Sequence, residues 1–296
     1  MINLGVSLII TAGMIATSLW WLSSEWGSYG CYSAMSRPVV LCYNSVMAVG
    51  QVSLLVWHYL DKNPLVVRYH VPGRPEIATV HRSFLHRQRW STFTIWSNTV
   101  SGAFFVLAAL QGWSRSPSPS LCMATQLAWE LLFPLAFFVN IVVSFVLIPG
   151  LKKLRDDFKL RRILRLKPQL LHNGLVLSAA VEAWIAQPPL LLTHFPVLVL
   201  FGSLYVVFAW HFFLQTQIFH YMFMDFRFKY QPIALVLLLA LLGALYALGA
   251  GALAMDSGGV RLLIFLAALG TCTWRAEVVP DASERSSGTQ AGTATK

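Results

Sequence analysis

Apolar residues run along this chain in long unbroken blocks and seldom alternate with polar ones. Blocks near the roughly 20 residues that a helix needs to cross a bilayer lie at 2–23, 39–60, 92–113, 121–149, 168–187, 195–218 and 232–254, with a shorter one at 259–274. Inside lipid the backbone must satisfy its own hydrogen bonds, and the blocks lack the period-two alternation of a membrane barrel. The pattern therefore predicts an all-α polytopic helical membrane bundle of seven or eight transmembrane helices. The first block follows MINLG, which holds no Lys or Arg, and it is long for the apolar part of a signal peptide. It is expected to remain as an extra N-terminal span, so that 1–38 stands apart from a six-span core at 39–254.

Polar residues interrupt the blocks in a pattern. The third opens with QRWSTFTIWSNTVSG, Gln88 to Gly102, in which Ser91, Thr94, Asn98 and Ser101 are spaced by three, four and three. On a helix that is one polar stripe. Glu130, Asn140, Glu182 and His211 also fall inside blocks, where polar groups are costly and mark either function or interhelical bonding. Glu130 and Glu182 are expected at similar depth, close enough to share a proton.

Composition agrees: 56% of residues are hydrophobic, 11% are charged and the mean hydropathy is +0.62, too apolar for a soluble fold. The net charge of +10 is no sign of nucleic-acid binding, because sixteen of the 22 Lys and Arg lie in the second, fourth and sixth connections. By the positive-inside rule those connections, and the N-terminus, are expected in the cytosol of an endoplasmic reticulum or plasma membrane protein. LKKLRDDFKLRRILRLK, Leu151 to Lys167, carries ten charges among Leu, Ile and Phe. It suits an interfacial helix whose Lys152 to Lys167 cations meet anionic lipid, or a loop that only sets topology. A short eighth span is expected at 255–274, and the small polar residues of 275–296 predict a disordered cytosolic tail. Of four cysteines, Cys31, Cys42 and Cys122 are placed near the far face; a Cys31 to Cys122 disulfide and unpaired thiols are both open.

The candidate chemistry sits near the cytosolic face. Thr94 enters the third span and His172 the fifth from that side, within about a turn of the same depth at 1.5 Å per residue. A hydroxyl nucleophile needs such a base within reach. His58, ending the second span, is a third group at this level.

Trp90-Ser-Thr-Phe-Thr94 is similar to the Trp-x-x-x-Thr that opens a span in the androgen-induced family of multi-span hydrolases, which includes the androgen-dependent TFPI-regulating proteins. Phe93-Thr94-Ile-Trp96 resembles the Leu-Thr-x-Trp of the related rolling stone proteins, and His172 with Glu182 ten residues on resembles the family's histidine-bearing span. The resemblance covers 39–254. It implies hydrolysis of lipid esters, such as fatty acid esters of hydroxy fatty acids, without a cofactor, with Thr94 as nucleophile, His172 as base and Glu182 in support. Asn98 or Asn173 would hold the oxyanion. The chain differs from the family in having Ser97 where the family has asparagine, and Asn173 after His172 where the family has Asn-His before it.

Other readings are a non-enzymatic transport, fusion or scaffold protein; acyl transfer at His220 and Asp225, which match a His-x4-Asp pattern; and haem binding, for which paired histidines at matched depth are missing. Oligomeric state is left open, with Gly243, Gly249 and Gly251 offering small faces for close helix contact.

Overall fold

The computed structural model describes residues 2–24, 31–62, 65–69, 80–153, 157–255 and 257–272. It is an all-α membrane bundle. Its helices are α1 (Ile2–Ser24), α2 (Pro38–Leu60), α3 (Phe93–Trp113), α4 (Pro119–Ile141), α5 (Ile148–Lys153), α6 (Asp157–Ile163), α7 (Leu166–Ile185), α8 (Phe195–Thr216), α9 (Gln231–Ala254) and α10 (Gly258–Thr271). Proline stands in the first turn of α2, α4, α8 and α9, where its missing N–H would be unpaired anyway. The expected tail at 275–296 lies outside the described residues.

Among the described residues six helices are long and apolar enough to cross a membrane, as a multi-pass protein requires, where the sequence predicted seven or eight. Both missing spans exist as helices. At 14 residues, α10 rises about 21 Å, short of a hydrocarbon core near 30 Å. Helix α7 has the length but carries Lys167, Gln169, His172, Asn173 and Glu182. It nonetheless runs the height of the bundle: Asn98 near the start of α3 reaches the Leu171 carbonyl, and Asn44 near the start of α2 reaches Glu182. Its polar groups turn inward, so mean apolarity under-reports it.

The bundle has two unlike ends. At one, Cys31 and Cys122 are joined by a disulfide, realising one of the two alternatives for these thiols; Cys42 is free and exposed, and Cys272 is free and buried. At the other lie the basic connections. There Asp61, just past α2, receives Arg89 at 3.1 Å and Lys167 at 2.7 Å, which ties the ends of α2, α3 and α7 together. Two strands not anticipated from the sequence, β1 (Leu65–Tyr69) and β2 (Val80–Phe84), pair antiparallel in the same region.

The core is aromatic. Trp129, Phe104 and Phe105 are fully buried at the α3/α4 contact. Beyond α4 the chain widens into a π-helical stretch, Val142–Leu147, in which the Ile148 N–H reaches back five residues to the Val143 carbonyl. Pro149 follows at once; lacking an N–H, it cannot continue the α-helical ladder, and a single π turn accommodates the break.

Candidate functional site

The widened stretch borders a cavity. Val142, Val143 and Leu147 wall one side, Val199 and Val206 of α8 and Leu235 to Leu242 of α9 the others, and Thr11 and Met14 of α1 close it. Part of it is open to the outside, and its wall is overwhelmingly apolar. Such a chamber fits hydrocarbon.

At the basic end the lining changes to hydroxyls. Thr94, Tyr205 and Tyr221 meet there. The reason is local: Thr92, the residue before α3, offers no side-chain cap, so the first N–H groups of that helix need another acceptor. The phenol of Tyr221 lies against this turn, near the Thr94 hydroxyl and the backbone of Phe93 and Thr94. Burial raises the Tyr221 phenol above its ordinary value, and these neighbours offset part of the rise. Tyr221 is therefore a neutral hydroxyl at neutral pH.

Behind Tyr205 and Tyr221 lies a smaller pocket holding Ser91 and His220. Ser91 Oγ stands 2.6 Å from His220 Nε2 and 2.5 Å from the Gln88 carbonyl. Both contacts are satisfied at once when Nε2 carries the proton, His220 donating to Ser91 and Ser91 to Gln88. Burial, with the Arg162 cation adding to it, pushes the His220 imidazole down to about 3, so the ring is neutral over the physiological range. Asp225, the partner suggested by the His-x4-Asp pattern, has its carboxylate held by Arg227 at 2.9 Å. Sequence reasoning missed the Ser91–His220 contact because the loop carrying His220 folds back over α3 from 129 residues away; the stripe containing Ser91 was its only local signal.

Thr94 lines the cavity; His172 does not. The two are linked at the backbone, since Asn98 Nδ2 donates to the Thr94 carbonyl at 2.8 Å and to the Leu171 carbonyl at 2.9 Å. Their helices thus meet at this depth. No hydrogen bond joins the hydroxyl to the imidazole, and His172 Nδ1 is buried without a partner. Asn98 cannot serve as a free oxyanion donor as anticipated, because both amide hydrogens are committed to that bridge. Asn173 is half-buried on α7. His58 is buried with Nε2 3.4 Å from the Arg89 carbonyl.

Nor do the two carboxylates pair. Glu130 is bonded by Gln126, by the Leu191 N–H at 3.3 Å and by His194 at 2.8 Å, which braces α4 against the α7–α8 connection. Glu182 accepts from Asn44 at 3.4 Å. They sit on separate helices, α4 and α7, with separate partners. His211, expected mid-membrane, is exposed on α8 beside Gln215.

The chain matches no protein-family model, no curated protein and no solved structure.

Proposed function

We propose that this protein is an integral membrane hydrolase of lipid esters, the substrate class being fatty acid esters of hydroxy fatty acids or similar. The observation that carries this reading is an apolar cavity, partly open to the outside, whose lining turns to hydroxyls at one end, with Thr94 on its wall. An acyl chain would lie among Val142, Val206 and Leu242 and bring its carbonyl to Thr94. Thr94 Oγ1 attacks that carbon, the ester C–O bond breaks, and the threonine proton leaves with the alcohol; water then releases the acid and restores the hydroxyl.

The first-turn N–H groups of α3, left without a side-chain cap, are suited to the oxyanion. His172, across the Asn98 bridge and with an uncommitted Nδ1, is the proposed base. Glu182 lies about 15 Å further along the same helix and supports the fold of α7 instead of the reaction. No cofactor takes part. The reading puts the basic end in the cytosol, where the Lys152 to Lys167 segment would face anionic headgroups.

A second nucleophile has an observation of its own, the 2.6 Å contact between Ser91 and His220. Its hydroxyl is turned toward Gln88 and screened from the cavity by Tyr205 and Tyr221, so Thr94 is preferred. Labelling of the purified protein with a fluorophosphonate probe separates them. Thr94→Ala and His172→Ala are expected to lose labelling while Ser91→Ala keeps it. Loss in Ser91→Ala and His220→Ala alone would transfer the role to that pair, and an unlabelled wild type would leave a lipid-binding protein without hydrolysis.

A further inference from the structure

A second polar system runs through the bundle on the other side of α3, between α2, α3 and α7. Buried side chains recur along these helices at a common seam. Counting at about 1.5 Å per residue from the basic end, His58 lies roughly 3 Å in, Asn98 and His172 roughly 8 to 9 Å, Ser101 and Gln51 roughly 12 to 14 Å, Ser178 roughly 18 Å, and Asn44 and Glu182 roughly 24 Å. Gln111 and Tyr32 follow at the disulfide end. No step in depth along the helix axes exceeds about 6 Å.

Contacts across the seam show that these groups face one another. Asn98 reaches α7 at Leu171, Asn44 reaches Glu182, and the Tyr43 hydroxyl donates to the Ser178 carbonyl at 2.8 Å. Gln51 packs over Gly102, where a Cβ would stand 3.9 Å from its own; the glycine leaves room beside Ser101. Asn44, Asn98, Ser101 and Glu182 have no exposure, and Gln51 and His58 have 4% and 7%.

What distinguishes the seam from ordinary interhelical bonding is what it leaves undone. His58 Nδ1, Asn98 Oδ1, His172 Nδ1, Ser101 Oγ, Gln51 Oε1, Asn44 Oδ1, Glu182 Oε2, Gln111 Oε1 and the Tyr32 hydroxyl are all buried with no hydrogen-bond partner in the protein. Groups kept for adhesion would be paired on both sides. Every one of these atoms can accept a hydrogen bond, so the species that completes them is a donor, and water is the donor that can occur repeatedly along such a file.

We propose that the seam between α2, α3 and α7 is a water-lined proton path that crosses the bundle, with Glu182 as the carboxylate through which protons pass. A proton taken up at the His58 end moves by successive hydrogen-bond exchange past His172 and the amide and hydroxyl acceptors, resides on Glu182 and leaves at the Gln111 and Tyr32 end; no group is consumed. Ionisable residues facing a bundle interior are the usual elements of such relays. The titratable neighbour that shares the field of Glu182 is Tyr43 of α2. The path stands independently of the hydrolase reading, although His172 and Asn98 belong to both.

The test uses the full chain purified and reconstituted into phosphatidylcholine vesicles that enclose a pH-sensitive dye, with a potassium diffusion potential as driving force. Internal pH is expected to change at least tenfold faster than in protein-free vesicles. Glu182→Gln, which retains an acceptor for Asn44, is expected to abolish the excess rate, and Gln51→Leu to reduce it several-fold. Glu130→Gln, a buried carboxylate outside the seam, should leave it intact. Elution as a single species with the Cys31–Cys122 disulfide intact shows that each variant is folded; if Glu182→Gln is not, Gln51→Leu and Ser101→Ala carry the test. Rates equal to protein-free vesicles, a Glu182→Gln or Gln51→Leu protein as fast as wild type, or a flux that follows a sodium gradient instead of pH would each overturn the proposal.

Discussion

A Cβ at Gly112 would stand 2.4 Å from the Met35 carbonyl oxygen and 2.8 Å from Leu41. The obstacle is backbone, so the end of α3 must move, and Gly112→Ala is expected to destabilise by about 1–3 kcal/mol, read as a lower thermal unfolding midpoint in detergent. Gly251, with nothing within 4 Å, should accept alanine without loss. His220 gives a prediction in pH. Its folded value near 3 lies below the ordinary 6.5, so between these the unfolded chain binds the extra proton and stability falls as pH falls. The slope over that window should flatten in His220→Gln. At this scale the sequence was partly readable: the polar stripe drew attention to Thr94, which lines the cavity. The partner it meets, Tyr221, and the Ser91–His220 contact depend on a loop over a hundred residues away, which no local spacing encodes. Asn98 shows the opposite limit. Its place on the stripe was plain, but whether its amide is free is decided by the Leu171 carbonyl on another helix.

Among the elements, α7 carries the lesson. Its length and its apolar residues were legible, while the inward turn of His172 and Glu182 follows only from the neighbours that surround it. The loss of α7 from the count of apolar spans has that physical origin, while α10 drops out by its length. The β1/β2 pair was missed because β-branched residues in LVVRY were absorbed into a basic connection. That connection is fixed at Asp61, which is 16% exposed while Arg89 beside it is 6% exposed. Asp61→Ala removes the carboxylate and leaves Arg89 only the backbone carbonyl of residue 61, and the expected loss is about 1–3 kcal/mol, below the 3–5 of a fully buried pair because water still reaches the site. A fall in unfolding midpoint that Asp61→Asn only partly repairs would show the charge itself at work.

For the whole molecule, the placement of Lys and Arg marked out one set of connections, and the structure gathers their described residues at one end. The disulfide at the other end closes a loop of 91 residues that contains α2 and α3. Its removal in Cys31→Ser should cost about 2–5 kcal/mol, and reductant should lower the wild-type midpoint but not that of the variant. Seams of unsatisfied acceptors are invisible in composition: each such atom left without any partner costs about 1–3 kcal/mol, a burden that helix periodicity does not reveal.

Helix α1, like α2, is largely uncovered by the rest of the bundle. Only 17% of its apolar window is buried, against 67% for the segment built on α4, and it is pinned near its two extremities, by Ser7 to Gln231 and by Trp21 to the Thr193 carbonyl. Between those pins Thr11 and Met14 form part of the chamber wall. This panel of the chamber is thus a plank fastened at top and bottom, and on the proposed lipid-ester reading a guest dissolved in the bilayer would enter sideways behind it, its hydrocarbon never having to pass through water.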